Sequence, residues 1–316
     1  MQPAQSASPR GHRVWIAPLA AAFLAVSLQP LAQAAAGPAS TLDRVKQSGK
    51  LTLGYRADAR PFSFRDESGN AAGYAVALCQ KVAEQLKTEL GRPTLAVEWV
   101  PVKTDDRFRA VQEGQIDLLC GADTDTLARR KEMAFSIPIF PGGVGTILRA
   151  DSSTRLREIL TKGQVADRPL WRASPVQILE KRVFSVVRGT TSEAWLAAKR
   201  AEFKIDARVV PVDGYDAGIQ RVLERGTDVF FGDRSFLFEA AKRNPSAKDL
   251  IVLDRIFSYE PLALTLKRGD EDFRLLVDRT LSGLYRSADF SFLYAKWFGA
   301  PGEDVMTFFR LNTLPE

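Results

Sequence analysis

Histidine is almost missing from this chain. Its 316 residues hold one, His12, beside two cysteines and three methionines. His12 sits just ahead of a short apolar run, Val14 to Leu28, which Arg10 and Arg13 precede. The run exits through Ala32-Gln33-Ala34 or Ala34-Ala35-Ala36. A basic start, a short apolar centre and small residues at the exit predict a secretory signal peptide over residues 1–36. A membrane anchor is the alternative, but the run falls short of the ~20 apolar residues a spanning helix needs. Removal of residues 1–36 leaves no histidine, which excludes Ser-His-Asp and Cys-His catalysis. It equally excludes HExxH and Cys/His zinc sites, and no cofactor is expected. Charge of one sign is also scarce: 44 Lys and Arg stand against 38 Asp and Glu. The positive balance is mild and spread along the chain, which gives nucleic-acid binding no support. No later stretch is long and apolar enough to span a bilayer, so an exported, soluble product is expected. The leader has no cysteine, so it offers no lipid anchor.

What remains is long enough for two domains. A helix over Thr41 to Gln47 is followed by a strand at Leu51 to Tyr55, a loop through Pro61 to Phe64 and a turn at Asp66 to Asn70. Val76, Cys79, Val82, Ala83 and Leu86 recur at helical spacing, predicting an amphipathic helix over 75–88. Leu95 to Val102 reads as a strand, Arg107 to Glu113 as a short helix and Ile116 to Cys120 as an apolar strand. A second set follows: strands at Phe184 to Val187, Val209 to Val212, Val229 to Phe231 and Leu250 to Leu253. Between them lie helices ending at Lys199, Glu224 and Lys242. Alternating strands and helices in both halves imply parallel sheets with helices on both faces. A strand at Leu262 to Leu266 precedes mostly helical sequence from Glu271 to Lys296. Residues 151–180 read as an irregular, charged insertion or long loop.

Ligands of open α/β sheets bind beyond the carboxyl ends of strands, and three such ends here are polar. After Cys120-Gly121 come Ala122, Asp123, Thr124, Asp125, Thr126 and Arg129. Small and hydroxyl residues followed by a guanidinium fork suit a carboxylate. A cap by Thr126 and a solvated Arg129-Arg130 pair fit as well. Gly189-Thr190-Thr191-Ser192-Glu193 can face an anion at a helix N-terminus, or form a capping box of Thr190 with Glu193. The two uses are compatible. Asp233, at the rim after Phe230-Phe231-Gly232, can hold a cation such as an ammonium or cap the next helix. Arg56 and Arg107 stand at element ends, where a solvated arginine is the default.

Taken in order, Gly54 to Phe62, Gly73-Tyr74, Gly114 to Asp117, Thr126-x-x-Arg129, Phe135-Ser136, Gly189-Thr190-Thr191 and Asp233 resemble the extracellular solute-binding proteins of family 3. These are the periplasmic polar-amino-acid receptors of ABC importers. Lys296-Trp297-Phe298-Gly299 is similar to that family's last helix, so the resemblance runs from about residue 45 to 300. It implies a two-lobe type II periplasmic binding fold, each lobe a mostly parallel sheet flanked by helices, joined by two crossover strands. Lobe 1 would be 45–143 with 262–316, and lobe 2 would be 144–261. By motif position, Arg129 matches the clamp on the ligand α-carboxylate, with Thr124, Thr190 and Thr191 as further donors. Ala122 matches a backbone carbonyl that takes an ammonium proton, and Asp233 the carboxylate that receives the α-ammonium. A zwitterion can be buried only if both charges are paired and hydrogen-bonded.

The glutamate/aspartate branch is the most similar. There, arginines matching Arg56 and Arg107 help to hold a side-chain carboxylate, and a Cys-Gly run like Cys120-Gly121 recurs. The histidine used by that branch is absent, and Asp216 or a neighbour falls in its place. Asp123 and Asp125 add negative charge, and Ala77 stands where many relatives carry Asp, which keeps neutral polar and basic ligands open. Cys79, near the start of the first helix, and Cys120, at a strand end, both fall at the carboxyl edge of the sheet. A Cys79–Cys120 disulfide and two buried thiols both remain open. The family implies a binding component of an ABC importer, with an amino-acid ligand, a membrane permease partner and a monomeric state, and no catalysis. The alternative is a cyclohexadienyl dehydratase-like enzyme on the same fold, with Asp233 or Asp216 as proton donor.

Overall fold

A computed structural model describes residues 40–162 and 175–315. The predicted leader, 1–36, and the centre of the 151–180 segment lie outside the described residues.

The first half opens with α1 (Thr41–Ser48), capped by the Ser40 hydroxyl, which accepts the Asp43 N–H at 3.2 Å. β1 (Lys50–Arg56) follows, buried from Leu51 to Tyr55 as a strand covered on both faces must be. β2 (Asp58–Ala59), β3 (Ser63–Arg65) and β4 (Ala71–Ala72) make a small antiparallel sheet, with the predicted 66–70 turn joining the last two. α2 (Tyr74–Glu89) buries Val76, Cys79, Val82, Ala83 and Leu86, the predicted face. Next come β5 (Ala96–Val102), α3 (Arg107–Gln112), β6 (Leu118–Thr124), β7 (Met133–Phe135) and β8 (Phe140–Gly142).

The second half runs through β9 (Val144–Arg149), α4 (Thr154–Lys162), α5 (Pro175–Leu179), β10 (Val183–Val187), α6 (Thr191–Glu202) and β11 (Arg208–Val212). It continues with α7 (Tyr215–Leu223), β12 (Val229–Asp233), α8 (Arg234–Arg243) and β13 (Leu250–Val252). β14 (Glu260–Lys267) leads into α9 (Glu271–Arg286), α10 (Asp289–Phe298) and α11 (Glu303–Asn312).

Two main sheets result, ordered β5-β1-β6-β14-β7, with β8 also on β14, and β11-β10-β12-β9-β13. This is the two-lobe α/β architecture. Each sheet has a parallel half, β5-β1-β6 and β11-β10-β12. The rest is antiparallel, which departs from the mostly parallel expectation. The reason is connectivity. β9 and β14 enter their sheets from the other sheet, so no right-handed helical crossover fixes their direction.

The core of the first sheet packs α2, α9, α10 and α11 on one face, with Phe62, Tyr74, Phe290 and Phe309 fully enclosed. Two separate clusters cover the faces of the second sheet. Phe236 of α8 joins the first sheet's core, with its ring 4.9 Å from Phe62.

Three local expectations change. The strand expected at 116–120 is β6, at 118–124, because the distant β14 pairs with Asp123 and Thr124 and carries the ladder past the apolar run. The 151–180 segment is not all irregular. α4 sends Leu156, Ile159 and Leu160 into the core, with the Ser153 hydroxyl accepting the Leu156 N–H at 3.3 Å. Its other positions are mostly charged, which hid the apolar spacing. A last helix, α11, lies beyond the predicted helical stretch.

Cys79 and Cys120 are joined, their Cα atoms 6.0 Å apart, so α2 is stapled to β6 across a sequence separation of 41. By loop entropy such a bond restrains the unfolded chain by about 4 kcal/mol. Replacing both cysteines with alanine is expected to lower stability by that order, measured as a lower urea midpoint. Unchanged midpoints, or two thiols titrating in unfolded, unreduced protein, would contradict the bond.

Candidate functional site

The chain leaves the first sheet at Gly142, enters the second at Val144, and returns between Val252 and Glu260. The two passages touch. Glu260 lies opposite Gly142 in the β14–β8 ladder, and the Val144 N–H donates to the Ser258 hydroxyl at 3.3 Å. No side chain fits here: a Cβ on Gly143 would stand 2.0 Å from the Ser258 carbonyl oxygen. One on Gly142 would stand 2.6 Å from Asp233 Oδ2 and 2.7 Å from the Glu260 carbonyl oxygen. Beside this contact lies a cavity walled by both sheets. It is lined by every residue singled out as a ligand contact except Asp216.

β6 supplies one wall. Its register with β14 slips between the Asp123–Ala263 and Leu119–Thr265 pairs, so Cys120, Gly121 and Ala122 oppose Leu264 alone. This bulge re-aims the end of the strand and places Ala122 and Thr124 on the cavity. The Thr126 hydroxyl accepts the Arg129 N–H at 3.1 Å, and Arg129 Nη1 donates to the Thr124 carbonyl at 2.8 Å. Thr126 thus caps, and Arg129 turns back to the cavity instead of lying in solvent beside Arg130. Arg130 pairs outside with Asp125. Burial pulls the Arg129 guanidinium down from its ordinary value, while Asp123 and Glu260 push it up and Arg107 pulls it down. Among the described residues no carboxylate lies within ion-pair distance of Arg129.

The N-terminus of α6 supplies the facing wall. Thr190 is its N-cap: the hydroxyl accepts the Glu193 N–H at 3.4 Å and donates to the Val187 carbonyl at 2.7 Å. Glu193 closes the turn from the Gly189 N–H at 2.8 Å. The Thr190 hydroxyl is thus spent on the cap, and Thr191 is the side chain offered inward. Its hydroxyl lies 3.2 Å from that of Thr124. Between the two sits a carboxylate that nothing in the local sequence signalled, Glu260. Its Oε2 accepts from Thr191 at 2.5 Å and from Thr124 at 3.2 Å, and its Oε1 accepts from Ser258 at 2.9 Å.

Asp233, 8% exposed, is both cap and rim residue. Its Oδ1 accepts the Ser235 N–H at 2.9 Å and its Oδ2 the Gly143 N–H at 2.8 Å. Burial pushes its carboxyl up to about 6; the Ser235 and Gly143 donors oppose the shift and Glu260 adds to it. Tyr215 stacks on Phe236 with centroids 5.0 Å apart, and its hydroxyl accepts the Asp233 N–H at 3.3 Å. Burial, then the charge of Asp233, raises the Tyr215 phenol, so it stays protonated.

The two outlying arginines are in the cavity but already matched. Arg107 Nε lies 2.6 Å from Asp123 Oδ1, both side chains 7% exposed, and Arg56 lies 2.9 Å from Asp58. Asp216 is a correction. Its side chain is on the surface, 77% exposed and paired with Arg243, while its neighbour Tyr215 turns into the cavity. One residue along a helix is about 100° of rotation, so a one-position uncertainty decides inside against outside.

Residues 51–300 match the model of the bacterial extracellular solute-binding proteins, family 3. The L-glutamate/L-aspartate-binding protein of Pseudomonas aeruginosa is 29% identical, over 83% of this chain and 80% of its own. The glutamate/aspartate import solute-binding protein of Escherichia coli is also 29% identical, over 89% of this chain and 88% of its own. An ancestral amino acid-binding protein, a precursor of cyclohexadienyl dehydratase, superposes with a TM-score of 0.65 at 26% identity. That match covers 82% of this chain and all of the ancestral one. With a family match over most of its length and a charged cavity between two sheets, the chain belongs to the bacterial extracellular solute-binding proteins, family 3, and is a binding protein rather than an enzyme.

Proposed function

We propose that this chain is the periplasmic substrate-binding component of an ABC importer for a polar amino acid. It is taken to be exported by cleavage of residues 1–36 and to act as a monomer that delivers its ligand to a membrane permease. The ligand is held without chemistry between lobes taken as 45–143 with 262–316 and 144–261. Arg129 clamps its α-carboxylate with Thr124, Thr191 and the first-turn N–H groups of α6. Asp233 and the Ala122 carbonyl receive its α-ammonium.

The observation that carries this reading is the separation of charge across one cavity. Arg129, unmatched by any carboxylate among the described residues, stands on one wall, and buried Asp233 stands on the other. A zwitterion completes both at once. The Thr124 and Thr191 hydroxyls donate to Glu260 in this structure, so a ligand α-carboxylate takes them only by displacing that side chain. The names of the glutamate/aspartate-binding relatives favour an amino acid as the solute.

A thermal-shift panel of the twenty amino acids and common dicarboxylates tests the reading. A cognate ligand at ~100 times its Kd adds ~2.7 kcal/mol and raises Tm. No shift from any of them in ligand-free protein would sink it. Arg129→Ala is expected to lose about 2–5 kcal/mol of binding, because the ligand carboxylate is then buried unpaired. Wild-type affinity by calorimetry would remove Arg129 from the site. Affinity is also expected to fall as pH drops below about 6, where Asp233 becomes a neutral acid that cannot pair with an ammonium. The effect of this group on the unliganded fold has the opposite sign. Its folded value lies above the ordinary 3.8, so its stabilising contribution is full below 3.8 and is lost as pH rises through about 6. Titrations at pH 5 and 7.5, with denaturation of the empty protein at both, separate the two.

A further inference from the structure

We infer that the ligand's side chain carries N–H donors, an amide or a cationic group, and not a second carboxylate. This rests on the amino-acid reading above and narrows it.

Arg56 and Arg107 are the cavity cations left over once Arg129 takes an α-carboxylate. Each already has its charge balanced by a carboxylate of the protein, although N–H groups remain on both. Arg107 spends its Nε on Asp123 at 2.6 Å and its Nη1 on the Thr104 carbonyl, inside a pair whose two side chains are each 7% exposed. Arg56 gives both Nε and Nη2 to Asp58 at 2.9 Å. A ligand carboxylate set against either pair would bring two anions to one guanidinium, at a high cost for the buried Arg107–Asp123 pair and a smaller one for the half-exposed Arg56–Asp58 pair.

Asp123 points the same way by a separate observation. It lines the cavity, yet its Oδ2 is buried with no hydrogen-bond partner among the described residues. The atom lies over Gly121, 2.9 Å from where a Cβ would stand. A buried orphan acceptor is costly until a donor reaches it. A carboxylate has no N–H to give; a carboxamide, ammonium or guanidinium does. The charge balance agrees. Among the lining residues Arg56, Arg107 and Arg129 are balanced by Asp58, Asp123 and Asp233, and Glu260, which accepts from the lining hydroxyls of Thr124 and Thr191, adds one negative charge beside them. A dicarboxylic amino acid adds to that imbalance, an amide leaves it unchanged and a cation offsets it.

The test is calorimetry on the purified protein with glutamate, aspartate, glutamine, asparagine, lysine and arginine, then with the remaining amino acids. At least one of the four nitrogen-bearing side chains is expected to bind tenfold or more tightly than glutamate and aspartate. Asp123→Asn, which releases Arg107 from its internal partner, is expected to move the ratio toward glutamate by at least tenfold. Should that buried change prevent folding, Asp58→Asn, at the 55% exposed partner of Arg56, is expected to move the ratio the same way. Tightest binding of glutamate or aspartate, or of a side chain without N–H donors, overturns the inference and leaves the amino-acid reading standing. A ratio unmoved in the folded variants also overturns it. Binding of no amino acid at all removes that reading, and this inference with it.

Discussion

Two passages of backbone cross between the sheets closer together than any side chain allows, and the site is built on that contact. Gly143 lies under the Ser258 carbonyl, and Gly142 between Asp233 and the Glu260 backbone. The approach lets the Gly143 N–H reach Asp233 Oδ2, and it starts β14 at Glu260, whose side chain then falls between Thr124 and Thr191. Both carboxylates at the neck of the cavity are therefore placed by main chain rather than by packing of their own side chains. A crossover built from larger residues would separate the strands and lose the joint placement of Asp233, Glu260 and the α6 N-terminus.

Around that neck the cavity handles charge by pairing it within the protein. Arg107–Asp123 is buried on both sides, where either ion alone would carry a desolvation cost of several kcal/mol. Arg56–Asp58 is the half-exposed counterpart, worth less because water and salt screen it. Asp233 is stabilised by N–H dipoles instead of a cation, and burial still wins, which is why its carboxyl rises. Arg129 differs from the other cavity arginines in being held, among the described residues, by a carbonyl and the Phe108 ring rather than by a carboxylate. The contrast between matched and unmatched cations separates the groups that shape the cavity from the one left for a visitor.

Most of the fold was legible because it is periodic. α2 shows its buried face at helical spacing, β1 and β10 are short apolar runs ending in a bend or turn, and β12 is one that ends in a helix cap. Where two uses of one residue competed, the structure can hold both: Asp233 caps α8 from the cavity rim. What stayed hidden depends on long-range placement. Glu260 has no local motif and matters only because β14 returns beside Gly142. The polar end of β6 is strand because β14 pairs with it, which no window of β6 reveals. Arg107, by position a solvated arginine, is placed at the ligand only by the family resemblance, and its pairing with Asp123 depends on the path of β6 across the bulge.

Phe236 belongs by sequence to a helix of the second sheet and by packing to the aromatic core of the first, against Phe62 and beneath the ring of Tyr215. Any parting of the walls withdraws that ring and wets both faces of the joint. Wetting apolar surface raises heat capacity. Any equilibrium in which the walls part would therefore curve with temperature, and the contact would hold with different strength in cold and in warm surroundings.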